Sequence, residues 1–142
     1  MKKIIIAIII IILIVLIALF LFTGGVRTDV HLINFEISEN GKTMTMHVGV
    51  SSSAGYIRDM KQKNVDASKY LTFYSTYGIN SKIGAKNTFT LEIDQNVDEI
   101  YFFKGNNGYN KILEKDKETG EWNRSKGSNT KELLNTKVDS KL

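Results

Sequence analysis

A chain of 142 residues with 19 basic and 15 acidic side chains has room for one domain with a substantial core, but not for two. It contains neither cysteine nor proline, which excludes disulfide staples and a lipid carried on cysteine. With Lys2 and Lys3 set apart, 17 basic and 15 acidic residues remain, a net of +2, and that balance argues against the basic stripe that nucleic-acid binding requires.

Residues 4–22 hold no charged or polar side chain, and ten of the nineteen are Ile. At ~1.5 Å per helical residue the run reaches roughly 28 Å, about the hydrocarbon thickness of a bilayer. In water such a sequence favours strand pairing, but in lipid the backbone has to satisfy its own hydrogen bonds and closes into a helix. Inserting these side chains is favourable by roughly 5 to 8 kcal/mol. Lys2 and Lys3 assign residues 1–3 to the cytoplasm and leave the C-terminal part outside. A cleaved secretory signal is the rival reading, with the small residues Thr23, Gly24 and Gly25 at the peptidase site, although its apolar region ordinarily spans only about 7 to 15 residues. Both readings deliver the chain beyond a linker at 23–28 to the outer side of the membrane.

Residues 29–124 read as an extracytoplasmic β domain. Asn40-Gly41 is the dipeptide of a two-residue hairpin turn, because both central positions need positive φ. A turn there sets Ile37 opposite Met44, Phe35 opposite Met46 and Ile33 opposite Val48, an apolar face, with Glu36 beside Thr45 and Asn34 beside His47 on the polar one. In this register His31 points to the apolar side and His47 to the polar side, so no metal site is expected from the pair. Residues 56–60 read as a short strand, and the lysines at 61, 63 and 69 as a solvated connection able to touch anionic lipid or wall polymer.

Residues 70–77 alternate aromatic and small polar side chains, with Leu71 and Phe73 toward a core and Tyr70 and Tyr74 on the other face. A loop follows at 78–86, then a half-buried strand with Phe89, Leu91 and Ile93 inward. Residues 100–103 are apolar on both faces, as in a central strand, and Ile112-Leu113 lies in the next one. Gly120 suits a turn that returns the chain to Trp122. About seven strands with no amphipathic helix favour an all-β fold, an antiparallel β-sandwich compatible with an immunoglobulin-like one, preceded by one N-terminal transmembrane helix. Residues 125–142 hold four apolar residues in eighteen and six charges, the composition of a mobile polar tail.

Phe73 to Gly78 read FYSTYG, followed by Asn80-Ser81, Ile83-Gly84-Ala85, Ile100-Tyr101-Phe102, Gly108-Tyr109, Lys115-Asp116, Thr119-Gly120 and Trp122. Over nearly the whole chain from Lys2 to Trp122 this set resembles small uncharacterised membrane-anchored or exported proteins of Gram-positive gut bacteria. The resemblance implies an anchored, exported protein and carries over no activity and no site residue.

Chemistry is sparse. Asp94, Asn96, Asp98 and Glu99 offer oxygens without the turn glycine of a calcium loop, and Asp116, Glu118 and Glu121 form a second acidic turn. Neither histidine lies in a nucleophile motif, so no catalytic residue, cofactor or metal is expected. The tyrosines are the candidate binding surface: Tyr70, Tyr74, Tyr77, Tyr101 and Tyr109 cannot all share one core face, and tyrosines left outside stack on sugars or anchor a partner. The expected role is a non-catalytic binding or assembly module at the bacterial cell envelope, with an envelope protein or a wall polysaccharide as partner. The alternatives are a small envelope hydrolase using carboxylates and a self-associating structural subunit.

Overall fold

The computed structural model describes residues 2–22 and 24–126; the expected tail from residue 127 onward lies outside the described residues. Helix α1 (Lys2–Phe22) is unbroken, long and apolar enough to cross a membrane, and contributes nothing to the domain core. Of the linker expected at 23–28, Val26–Arg27 forms a short strand β1 against the end of β5. Arg27 then turns its guanidinium onto Asp29 at 2.8 and 2.9 Å and reaches Ser52 at 2.8 Å, which locks the entry to the domain.

Two sheets follow. The smaller comprises β2 (Val30–Ile37), β3 (Thr43–Val50) and β6 (Thr88–Glu92), in the order β2-β3-β6, all antiparallel. The larger holds β4 (Ile57–Val65), β5 (Ser68–Ser75), β7 (Glu99–Phe103), β8 (Tyr109–Lys115) and β9 (Trp122–Arg124). One edge of β5 is taken by β4, and the other is shared by β1 and β7. The all-β architecture behind an apolar helix is as expected, with one departure. β5 and β7 run parallel, because the chain leaves the larger sheet after β5, crosses to the smaller sheet as β6, and returns in the same direction.

The β2–β3 register is the expected one from Ile37↔Met44 to Asn34↔His47. The turn differs: Ser38 and Thr43 close a four-residue loop, and only Gly41 takes positive φ, at 67°. The Asn40 side chain accepts the Lys42 N–H at 3.0 Å and the Ser38 hydroxyl at 2.7 Å, an Asx-type cap that leaves the left-handed position to glycine alone. Beyond Asn34 the register shifts. Ile33 bulges out, 56% exposed, and Leu32 takes the buried place opposite Val48. Arg124 holds the bulge from β9, donating to the Leu32 and Ile33 carbonyls at 3.0 and 2.6 Å. The extra residue reverses the faces upstream of it, so His31 points outward rather than to the apolar side.

The expected connection at 61–69 is also a strand for most of its length. β4 runs to Val65 and turns at Asp66, φ 51°, straight into β5. Lys61 and Lys63 are exposed on β4, as charged side chains are at a sheet edge, whereas Lys69, expected to be solvated, is buried in β5 with its ammonium on Asn64 Oδ1 at 3.0 Å.

Both sheets feed one core. Leu32, Met44, Met46, Val48 and Leu91 from the smaller meet Ile57, Leu71, Phe73, Ile100, Phe102 and Leu113 from the larger. Phe73 joins them, standing edge-on to Phe102 at 4.8 Å and to Phe89 of the smaller sheet at 5.6 Å. The strand ends define two poles. Gly25, Tyr77 and the loop 76–87 gather at the end of α1, through Ser75 N–H to Gly25 O and Lys86 N–H to Ile57 O. The turns near 38–43, 66–67, 94–98 and 116–121 gather at the other pole, linked by Ile93 N–H to Lys42 O, Asp98 N–H to Ala67 O and Lys115 N–H to Asp98 O.

Candidate functional site

Alternation along β5 and β7 that sends Leu71, Phe73, Ile100 and Phe102 inward sends Tyr70, Thr72, Tyr74, Glu99, Tyr101 and Phe103 to the outer face of the larger sheet. Tyr70 and Tyr101 sit opposite each other in the parallel register and stack at 4.8 Å with an interplanar angle of 15°. Tyr109 stands edge-on to Tyr70 and to Phe103, both at 5.1 Å, and its hydroxyl meets Thr72 Oγ1 at 3.0 Å. Val65, Tyr70 and Tyr101, with Tyr109 packed against them, build a second apolar cluster. It seals Tyr70 and Tyr101 to 6% and 5% exposure.

Charge is organised around the same cluster. Glu99 accepts the Tyr101 hydroxyl at 2.8 Å, the Ser68 hydroxyl at 3.1 Å and the Lys111 ammonium at 3.2 Å, and Lys111 also pairs with Glu114 at 2.8 Å. Burial alone would raise the Glu99 carboxyl, but the hydrogen bonds from Tyr101 and Lys111 outweigh it and hold the group below its usual range. Burial, followed by the bond to Glu99, pushes the Tyr101 phenol well above its ordinary value. The hydrogen bond to Glu114 raises Lys111. A carboxylate held deprotonated in this way is not the proton donor of glycoside cleavage, which also uses an ionised partner.

The remaining tyrosines fall in two places. Tyr74 is half-buried on the same outer face, with the Lys61 ammonium 5.1 Å above its ring. Lys61 and Lys63 are exposed on the neighbouring edge strand β4. Tyr77 leaves the face altogether: it stacks on Phe20 of α1 at 5.1 Å, with the Arg58 guanidinium 4.3 Å over its ring. The five tyrosines are therefore not one surface. Tyr70, Tyr101 and Tyr109 form a packed platform, Tyr74 with Lys61 and Lys63 forms its accessible margin, and Tyr77 belongs to the pole at α1.

At that pole a pocket of about 510 Å³ opens between the end of β3 and the loop 82–87, with Ile33, Val50, Tyr56 and Ile57 as walls and Lys82 and Lys86 at the rim. Ile33 enters it only because of the bulge, which no local sequence pattern announces. The bulge also brings His31 to the outer face of the smaller sheet that His47 already occupies, His31 against Ser51 at 3.3 Å and His47 against Thr88 at 3.0 Å. Among the described residues no group of three potential metal ligands gathers around them or elsewhere. Asp94 and Asp116 spend a carboxylate oxygen on backbone N–H groups of their own turns, and those bonds from Thr119 and Glu118 lower the Asp116 carboxyl.

Comparison with protein-family models, curated proteins and solved structures finds no match to this chain.

Proposed function

We propose that the chain is a single-pass membrane protein that displays its β domain on the outer side as a non-catalytic binding module, with an anionic wall polysaccharide as its partner. The apolar span of α1 and the lysines before it support the anchor and its orientation. The observation that carries the binding reading is the margin of the larger sheet: Lys61 over the half-buried ring of Tyr74, with Lys63 exposed beside it. A tyrosine face stacks on a sugar ring, and ammonium groups at its rim meet phosphate or carboxylate substituents. The buried platform of Tyr70, Tyr101 and Tyr109 keeps that margin rigid, so little ordering is lost on binding.

Self-association is disfavoured at the β4 edge, where lysines and the register shift between Ile57 and Asp59 blunt strand addition.

The test is co-sedimentation of the full chain in detergent with purified cell-wall material. Tyr74→Ala and Lys61→Glu are expected to weaken it several-fold each, and Asp94→Asn at the far pole to leave it unchanged. Equal sedimentation of all variants overturns the assignment of this surface. Loss with Tyr74→Ala alone, and undiminished binding by Lys61→Glu, points to an uncharged envelope protein as the partner.

A further inference from the structure

The two poles of the domain differ in charge and in apolarity. Residues 38–42, 66–67, 94–98 and 116–121, at the far pole, carry seven carboxylates against the two lysines Lys42 and Lys117. Residues 76–87, at the pole that meets α1, carry Lys82 and Lys86 and no carboxylate. In this same loop stand Ile79 and Ile83, 80% and 86% exposed. Both are more exposed than any large hydrophobic side chain described in the apolar helix, where Ile4 is highest at 65%.

Hydrogen bonds set the shape of the loop. Asn80, at a φ of 51°, accepts the Gly55 N–H on its side-chain oxygen at 2.8 Å, and the Thr76 hydroxyl donates to the Ser81 carbonyl at 2.6 Å. The Ile83 N–H reaches Ser81 Oγ at 3.2 Å, and the Lys86 N–H closes on Ile57 O at 2.7 Å. The isoleucines are thus held outward by a braced backbone. At the foot of the loop Tyr77 stacks on Phe20, a side chain within the apolar span. Such an aromatic pair at the end of a spanning helix lies at the level of the lipid headgroups, and the loop that continues from Tyr77 lies beside it.

We propose that residues 78–86 form a membrane-docking loop, in which Ile79 and Ile83 enter the headgroup and acyl boundary of the leaflet where α1 emerges while Lys82 and Lys86 meet anionic phospholipid headgroups. The inference rests on α1 being a membrane anchor. Apolar side chains flanked by basic ones are the composition of an interfacial contact. Only residues 23–25 separate α1 from β1, so the loop is presented to the bilayer at high effective concentration and needs little affinity of its own. Docking holds the acidic pole away from the anionic surface, and fixes the angle at which the Tyr74 margin faces outward.

The absence of native cysteine gives a clean test. Three full-length variants, Ile83→Cys, Asn96→Cys and Ile12→Cys, are labelled with an environment-sensitive nitrobenzoxadiazole dye. Each is reconstituted into vesicles of mixed phosphatidylcholine and phosphatidylglycerol. The label at position 83 is expected to emit blue-shifted and to be quenched several-fold by lipid spin-labelled near the headgroup, while the label at position 96 stays unquenched. The label at position 12 is quenched by a spin label deep in the acyl chain if α1 spans the membrane. Quenching at 12 without quenching at 83 overturns the docking loop alone. Quenching at neither overturns the loop and the anchor together. In the otherwise native background of Ile83→Cys, adding Ile79→Asp with Lys82→Glu is expected to abolish quenching at 83 and leave the thermal unfolding of the domain unchanged; retained quenching in that variant contradicts the assignment.

Discussion

Replacing Phe73 with alanine removes a fully buried ring that stands edge-on to Phe102 in its own sheet, at 4.8 Å, and to Phe89 of the opposite sheet, at 5.6 Å. A Phe→Ala change in a core that cannot collapse around the gap costs about 3 to 5 kcal/mol. Each aromatic pair adds about 0.5 to 1.5 kcal/mol beyond the area it buries, which places this site near the upper end, at about 5 kcal/mol. Domains of this size are stable by about 5 to 15 kcal/mol in all, so the variant loses from about a third to all of its stability. At about 4 °C per kcal/mol the melting temperature falls by about 20 °C. Phe73→Leu keeps most of the volume and is expected to cost about 1 to 2 kcal/mol. The assay is thermal unfolding of the full chain in detergent, followed by near-ultraviolet circular dichroism. Tyr74→Ala, one residue along but on the other face, serves as the comparison at about 1 kcal/mol or less. A double-mutant cycle of Phe73→Leu with Phe89→Leu is expected to give a coupling of about 0.5 to 1.5 kcal/mol across the sheets. A melting temperature for Phe73→Ala within about 3 °C of the parent refutes the shared core.

Arg124→Ala strips the charged donor from the Leu32 and Ile33 carbonyls, and is expected to lower stability by about 1 to 3 kcal/mol in chemical denaturation; Arg124→Lys, with a single donor centre, should recover less than half. Gly41→Ala forces a Cβ into the left-handed turn position, φ 67°, and is expected to cost about 1 to 2 kcal/mol although open space surrounds it. The hydrogen bond from Arg27 holds the Asp29 carboxyl well below the usual range, and Glu99 is lowered too. Carboxyls depressed in the folded state stabilise it above their unfolded pKa, near ~4, and lose that contribution as pH falls through the folded values. Urea midpoints should therefore drop below about pH 4, less steeply in Asp29→Asn. On the alkaline side Tyr101 and Lys111 are raised, so their contribution is complete below about pH 10 and declines as pH climbs beyond it; Tyr101→Phe should flatten that limb.

Much of the fold was legible because its signals are local. Residues 4–22 declare a helix through unbroken apolarity, and alternation places Leu71 and Phe73 inward and Tyr70 and Tyr74 outward with no knowledge of what they touch. The hairpin register was readable from Ile37 to Asn34 for the same reason. What failed was non-local. The bulge at Ile33 is held by Arg124, 91 residues further along, and one unannounced extra residue moved His31 to the other face. Residues 61–65, the second half of β4, read as a connection because an edge strand with a solvated margin has no apolar rhythm. The parallel neighbours β5 and β7, not any pattern within either, stack Tyr70 on Tyr101 and withdraw both from solvent. The exposed isoleucines at 79 and 83 were visible as apolar residues in a loop. Their position beside α1 follows from the pairing of β1 with β5 and the stack of Tyr77 on Phe20.

Labelling of Asn96→Cys in intact cells with a membrane-impermeant maleimide, followed by the intact mass of the protein recovered from carbonate-washed membranes, addresses the topology on which the functional reading stands. The expected result is the full 142-residue chain carrying one label, with no permeabilisation needed. A mass lacking the first residues through Phe22, or a cysteine that reacts only after lysis, contradicts it.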